Sequence, residues 1–101
     1  MTDEKRRHGR VPLVMEVTWE GSGLKSSART TDISVTGCFI DTLGQASVGE
    51  TLNLQFKLNE SESISVQGKV MYHQPGVGFG VLFTKISDDE RFRLDALLAG
   101  Q

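Results

Sequence analysis

A chain of 101 residues, 38% apolar and 24% charged, is long enough for one hydrophobic core and too short for two. No apolar run approaches the roughly 18 to 20 residues that span a bilayer, and the charged amino terminus lacks the apolar segment of a secretory signal, so a cytoplasmic protein is expected. The net charge of −2 argues against a general nucleic-acid binder.

The distribution of that charge says more than its sum. Residues 1–10 hold four Lys/Arg against two acidic residues, whereas the other 91 hold seven against eleven. Positive charge is gathered in Lys5-Arg6-Arg7-His8-Gly9-Arg10, ahead of an acidic body, a pattern suited to a small anionic ligand rather than a long polyanion. The arginine fork grips phosphate, or the O6/N7 edge of guanine, with paired hydrogen bonds. Such an arm repels itself and has little apolar surface to pin it, which predicts a flexible basic segment over residues 1–10 in the absence of ligand.

From residue 11 to 20 apolar side chains alternate (Val11, Leu13, Met15, Val17, Trp19), broken only by Val14, and Pro12 belongs at the start or an edge. This predicts one strand, and Gly21-Ser22-Gly23 predicts a tight turn into a second strand over residues 24–31. Residues 37–42 form a short apolar strand containing Cys38, expected to be a buried structural thiol. With one cysteine and two histidines there is neither an internal disulfide nor a metal-ligand set.

After a loop over residues 41–50, alternation returns at 51–58 (Leu52, Leu54, Phe56, Leu58). Beyond a polar turn at Asn59-Glu60-Ser61-Glu62, Ile64, Val66, Gly68, Val70 and Tyr72 mark the inward phase of the next strand. Gln74-Pro75-Gly76 turns the chain into a last strand whose core face is Val77, Phe79, Val81 and Phe83. Gly68, Gly78 and Gly80 suggest bends or close backbone approach, as a barrel requires, or else a ligand-facing surface. Ser87-Asp88-Asp89-Glu90 has capping-box spacing, so a helix is expected at about 88–99, with Phe92, Leu94, Leu97 and Leu98 packing across one barrel mouth and Gly100 ending it. The sum is an all-β domain: a small antiparallel β-barrel over residues 11–101 with one C-terminal α-helix.

Catalysis finds no support. His8 and His73 lie in no nucleophile–base signature, and helix capping accounts for Asp88, Asp89 and Glu90. Gly76-Val77-Gly78-Phe79-Gly80 lacks the strand-then-helix setting of a dinucleotide loop. The expectation is therefore no enzyme, no metal and no cofactor.

Binding is the better case. Asp32-Ile33-Ser34-Val35-Thr36-Gly37 reads D-x-S-x-x-G, and Arg6 and Arg10 read R-x-x-x-R. Alone, Asp32 and Ser34 could be turn residues bonding their own backbone. The two motifs in this order, with the later Gly78-Phe79-Gly80-Val81-Leu82-Phe83 strand, resemble the PilZ domain family of bacterial cyclic di-GMP receptors. The resemblance runs from Lys5 to the terminal helix. It implies a six-stranded antiparallel barrel and ligand-binding roles for Arg6, Arg10, Asp32, Ser34 and Gly37, with Arg7 and Lys5 as flanking cations. In that family the residue before R-x-x-x-R, here Lys5, is linked to whether one or two ligand molecules bind.

Ligand that bridges the arm to the Asp32–Gly37 turn would order the arm against the barrel and switch contact with a separate, unidentified effector protein. Monomer or weak dimer, without membrane insertion, is the expected state. The alternative is a PilZ-like protein-interaction adaptor that binds no nucleotide. A nucleic-acid-binding barrel of the OB type is disfavoured, because Trp19, Phe56, Phe79 and Phe83 fall on the inward phase rather than on a stacking face.

Overall fold

The computed structural model describes residues 11–44 and 46–101. Its elements are β1 (Val11–Pro12), β2 (Glu16–Gly21), β3 (Leu24–Ile33), β4 (Gly37–Asp41), β5 (Thr51–Lys57), β6 (Ser63–Gln74), β7 (Gly78–Lys85) and a helix, α1 (Asp88–Ala99). The sheet order is β1-β3-β2-β5-β6-β7-β4, and an additional β3–β4 pairing closes it. Both β1 and β2 run antiparallel to β3, with Pro12 opposite Asp32 and Glu16 opposite Arg29, so they are two pieces of one strand. Counted so, the molecule is a closed six-stranded antiparallel barrel with one C-terminal helix.

The single strand expected over residues 11–20 is thus interrupted at residues 13–15, and the cause lies across the ladder. The buried Thr30 hydroxyl accepts from the Met15 N–H at 3.0 Å and donates to the Leu13 carbonyl at 2.8 Å, taking over ladder bonds that the break would orphan. The Gly21–Leu24 hairpin follows expectation: Ser22 and Gly23 hold φ of 52° and 79°, the left-handed pair that suits a two-residue turn between twisted strands.

The period-two residues of β2, β5 and β6 fill the interior. Trp19 meets Phe79 edge-on at 5.2 Å and Phe56 meets Phe83 at 5.8 Å. Cys38 is fully buried among these side chains.

Two expectations about the last hairpin need correction. A register shift between Val70 and Tyr72 makes Met71 an extra residue in β6, and the phase beyond it is reversed. Tyr72, read as a core residue, is therefore 40% exposed on the outer face. Val77 lies in the turn, donating to the Gln74 carbonyl at 3.0 Å, and is exposed rather than packed in the core.

The helix closes the barrel end toward which β3 and β7 run. Leu94 is buried, and Leu97 and Leu98 pack partly against the core. Phe92 does not join them and is 72% exposed. Two residues advance a helix by about 200°, so Phe92 faces away from Leu94.

Ser87 caps the helix as expected, accepting from the Glu90 N–H at 3.1 Å. The reciprocal half of the capping box is absent: the Glu90 carboxylate accepts instead from the Ser65 N–H of β6 at 2.7 Å, tying helix to barrel wall. Among the described residues no helix is long and apolar enough to cross a membrane.

Candidate functional site

Arg6, Arg7 and Arg10, with Lys5 and His8, lie outside the described residues. What is described is the foot of that segment. Val11 pairs with Ile33 and Pro12 with Asp32, so the chain leaving Arg10 enters the ladder beside the D-x-S-x-x-G strand.

The turn itself is built by Ser34. Its hydroxyl oxygen accepts from the N–H groups of Thr36 at 3.1 Å and Gly37 at 3.2 Å, while its own N–H donates to the Gly37 carbonyl at 2.8 Å. Ser34 is 2% exposed, so this hydroxyl serves the turn and is turned away from solvent. Gly37 is required by close approach, because a Cβ there would run into the Val81 carbonyl oxygen of β7. The Phe83 N–H donates to the Thr36 carbonyl at 2.8 Å and pins the turn to β7.

Asp32 differs from its neighbours. A register shift between Thr30 and Asp32 makes Thr31 an extra residue in β3. Thr30 and Ile33 are buried, whereas Thr31 is exposed and Asp32 half-buried. The bulge thus takes Asp32 off the inward phase that strict alternation from Thr30 would give it. One carboxylate oxygen accepts from the Thr31 hydroxyl at 3.2 Å.

Asp32 then stands at one end of a register row on the outer wall. Its partner across the ladder is Phe39 of β4, the partner of Phe39 is Gly80 of β7, and the partner of Gly80 is Tyr72 of β6. A Cβ on Gly80 would run into the Tyr72 ring, so the ring lies across the glycine. It is tilted 32° against Phe39 at 6.0 Å between centroids. The neighbouring row is Gly37, Leu82 and Lys69. Thr36, Gly37, Met71, Tyr72, Gly80 and Leu82 line a cleft of about 80 Å³ between the two rows.

Sequence reasoning missed Phe39, Tyr72 and Lys69. The outward glycines Gly78 and Gly80 were the only trace of this wall in the sequence.

A larger hollow of about 570 Å³ runs along the outer faces of β2, β5 and β6. Glu20 and Glu90 balance Lys25 and Lys85 there, so it offers an anion no net attraction. Among the described residues no cluster of His, Cys, Asp or Glu is suited to hold a metal ion.

The family profile of the PilZ domain matches residues 4–100. The fold is similar to that of the Bacillus subtilis inhibitor of motility, MotI/DgrA, with a TM-score of 0.73 and 17% identity over 87% of this chain and 46% of that one. The chain therefore spans about half the length of that relative. It is also similar to the PilZ domain of CeSA from a cellulose-synthesizing bacterium, with a TM-score of 0.70 and 18% identity over 91% of this chain and 96% of that domain. At these identities the likeness is one of fold. No curated protein sequence matches the chain.

Proposed function

The chain belongs to the PilZ domain family, whose members serve as cyclic di-GMP receptors and protein-interaction domains rather than enzymes, and we propose that this one binds cyclic di-GMP. The ladder contact between Pro12 and Asp32 carries the reading, because it brings the foot of the arginine segment beside the one outward carboxylate of the turn. Arg6 and Arg10 hold phosphate and a guanine O6/N7 edge, with Arg7 a flanking cation. Asp32, acceptor-only when ionised, takes the guanine N–H donors. Ser34 and Gly37 contribute by fixing the turn against β7, which sets the direction of Asp32.

Ligand held between arm and wall changes the surface offered to a separate effector protein, and the setting is the bacterial cytoplasm. Because the turn alone accounts for Ser34 and Gly37, a second reading stands beside the first: an adaptor of the same fold that binds no nucleotide.

Calorimetric titration with cyclic di-GMP separates the two. Saturable heat that Arg6→Ala and Arg10→Ala both remove supports the receptor and gives the ligand count. No heat from folded wild-type protein leaves the adaptor. A single-stranded oligonucleotide serves as the control for polymer binding.

A further inference from the structure

We infer that the barrel mouth opposite the helix is a docking pocket for a lysine side chain of the effector protein, in which Glu50 takes the ammonium and the Trp19 indole N–H takes a carbonyl of the same segment. The inference rests on the protein-interaction part of the reading above and not on cyclic di-GMP. Three observations meet there.

The first is a donor without an acceptor. Trp19 is 4% exposed, and no described group accepts from its Nε1–H. A buried N–H left unpaired costs about 1–3 kcal/mol, so a native structure keeps one only with reason. Trp19 forms the floor of a hollow of about 570 Å³ between the Gly21–Leu24 hairpin and residues 46–50, with His73 on a further wall. A carbonyl brought in by a partner supplies the missing acceptor.

The second is a carboxylate without a cation. Glu50 lines the same hollow, where the Ser22 hydroxyl donates to Oε2 at 2.8 Å and the Ser47 N–H to Oε1 at 3.0 Å. No Lys or Arg among the described residues pairs with it, and none lines the hollow. Each oxygen already accepts one bond. That spoils the two-oxygen edge for a guanidinium fork and leaves room for the point charge of an ammonium.

The third is spacing and shape. A Cβ on Gly21 would run into the Glu50 carboxylate, so that group lies against Gly21. Trp19 and Gly21 are alternate residues of β2, about 7 Å apart along the strand. The four-carbon stem of lysine spans such a gap, from a backbone carbonyl at Trp19 to an ammonium at Glu50. Leu24 and Val48, both exposed, line the hollow and would cover the stem. Leu43, 83% exposed, widens this apolar rim beside Gly44, which packs on the Trp19 ring. A rim broader than one side chain fits a protein surface rather than a free amine.

A bound water is the competing account. It would satisfy the indole N–H and leave the hollow to solvent. That account predicts no preference for lysine.

Trp19 is the only tryptophan in the chain, so nitrogen-isotope labelling gives one indole N–H resonance to follow. The probe is the capped peptide acetyl-Ala-Leu-Lys-Leu-Ala-amide, set against the same peptide with norleucine in place of lysine. The lysine peptide is expected to move the indole proton downfield, saturably. The norleucine peptide should bind roughly 5- to 10-fold more weakly, as for loss of one charged partner at a partly open site. Glu50→Gln, shown to be folded by its thermal melt, should erase that difference. An indole resonance unmoved at millimolar lysine peptide overturns the pocket, as does equal affinity for the two peptides or a preference that survives Glu50→Gln. None of these outcomes touches the cyclic di-GMP titration, which stands or falls by itself. Should Glu50→Gln not fold, the two peptides on the wild-type chain decide the matter.

Discussion

Asp32 and Phe39 are partners across the β3–β4 ladder, so a carboxylate and a phenyl ring leave the barrel side by side on its outer face. Of the D-x-S-x-x-G residues, Asp32 is the one that the turn does not consume. Asp32→Ala is therefore expected to cost about 1.5–3 kcal/mol of cyclic di-GMP affinity, the range for a hydrogen bond to a charged group. The melting temperature should stay within a few degrees of wild type. Calorimetric titration paired with a thermal melt reads both, and an unchanged affinity removes Asp32 from the site.

Ser34 is the opposite case. Its buried hydroxyl satisfies two backbone N–H groups, so Ser34→Ala should lower stability by about 2 kcal/mol. Affinity measured on the folded protein should fall less than in Asp32→Ala. Urea unfolding gives the first number and titration the second. A stable variant that no longer binds would instead make Ser34 a direct ligand contact.

Glycine substitutions separate crowded sites from open ones. Gly37→Ala drives a methyl into the Val81 carbonyl of a paired strand and is expected to cost about 3 kcal/mol or more. Gly100→Ala, with φ of −84° and its nearest neighbour at 3.6 Å, should change stability by no more than about 0.5 kcal/mol. Equal effects in urea denaturation would contradict the placement of β4 against β7.

The helix is fastened by Glu90, not by its largest exposed side chain. Removing the carboxylate that accepts from the Ser65 N–H predicts a loss of about 1–2 kcal/mol in Glu90→Ala. Phe92→Ala should be nearly neutral. Chemical denaturation of the two variants side by side is the check.

Glu50 links stability to pH. The Ser47 N–H and the Ser22 hydroxyl both donate to its carboxylate, and they hold its pKa below the ordinary value of 4.5. A carboxylate depressed in the folded state stabilises above its unfolded pKa, and that contribution is lost as pH falls through the folded value. Wild type should therefore exceed Glu50→Gln in stability at neutral pH. The two should converge in acid, as pH falls from 4.5 through the lower folded value. Denaturation midpoints from pH 3 to 7 test the sign, and a gap that widens in acid refutes it.

Much of the barrel was legible because period two needs only one buried face. Leu52, Leu54 and Phe56, then Ile64, Val66 and Val70, announce their strands and their sides. The Ser87 cap was equally legible, since a cap is a local event. What escaped was anything that a single extra residue decides. The bulges at Thr31 and Met71 leave composition untouched and reverse the phase after them, so Tyr72 read as core. The break before β2 was hidden too, because Thr30, which holds it together, comes from the facing strand. Of the candidate site, Asp32, Ser34 and Gly37 were named from their motif. Their division into one outward group and two that build the turn depended on burial, which the motif does not encode.

Closure of the barrel between β4 and β7 carries a further consequence. Phe39 and Gly80 are neighbours in space but far apart along the chain, and β5 and β6 must be threaded between them before their pairing can form. Contacts of this kind close large loops and are slow to gain in folding. The row from Asp32 to Tyr72 straddles that seam, half contributed by each side. A nascent or partly opened chain thus carries both halves without the whole. A small molecule that needs the whole row would select the finished barrel and, by mass action, hold its last seam shut.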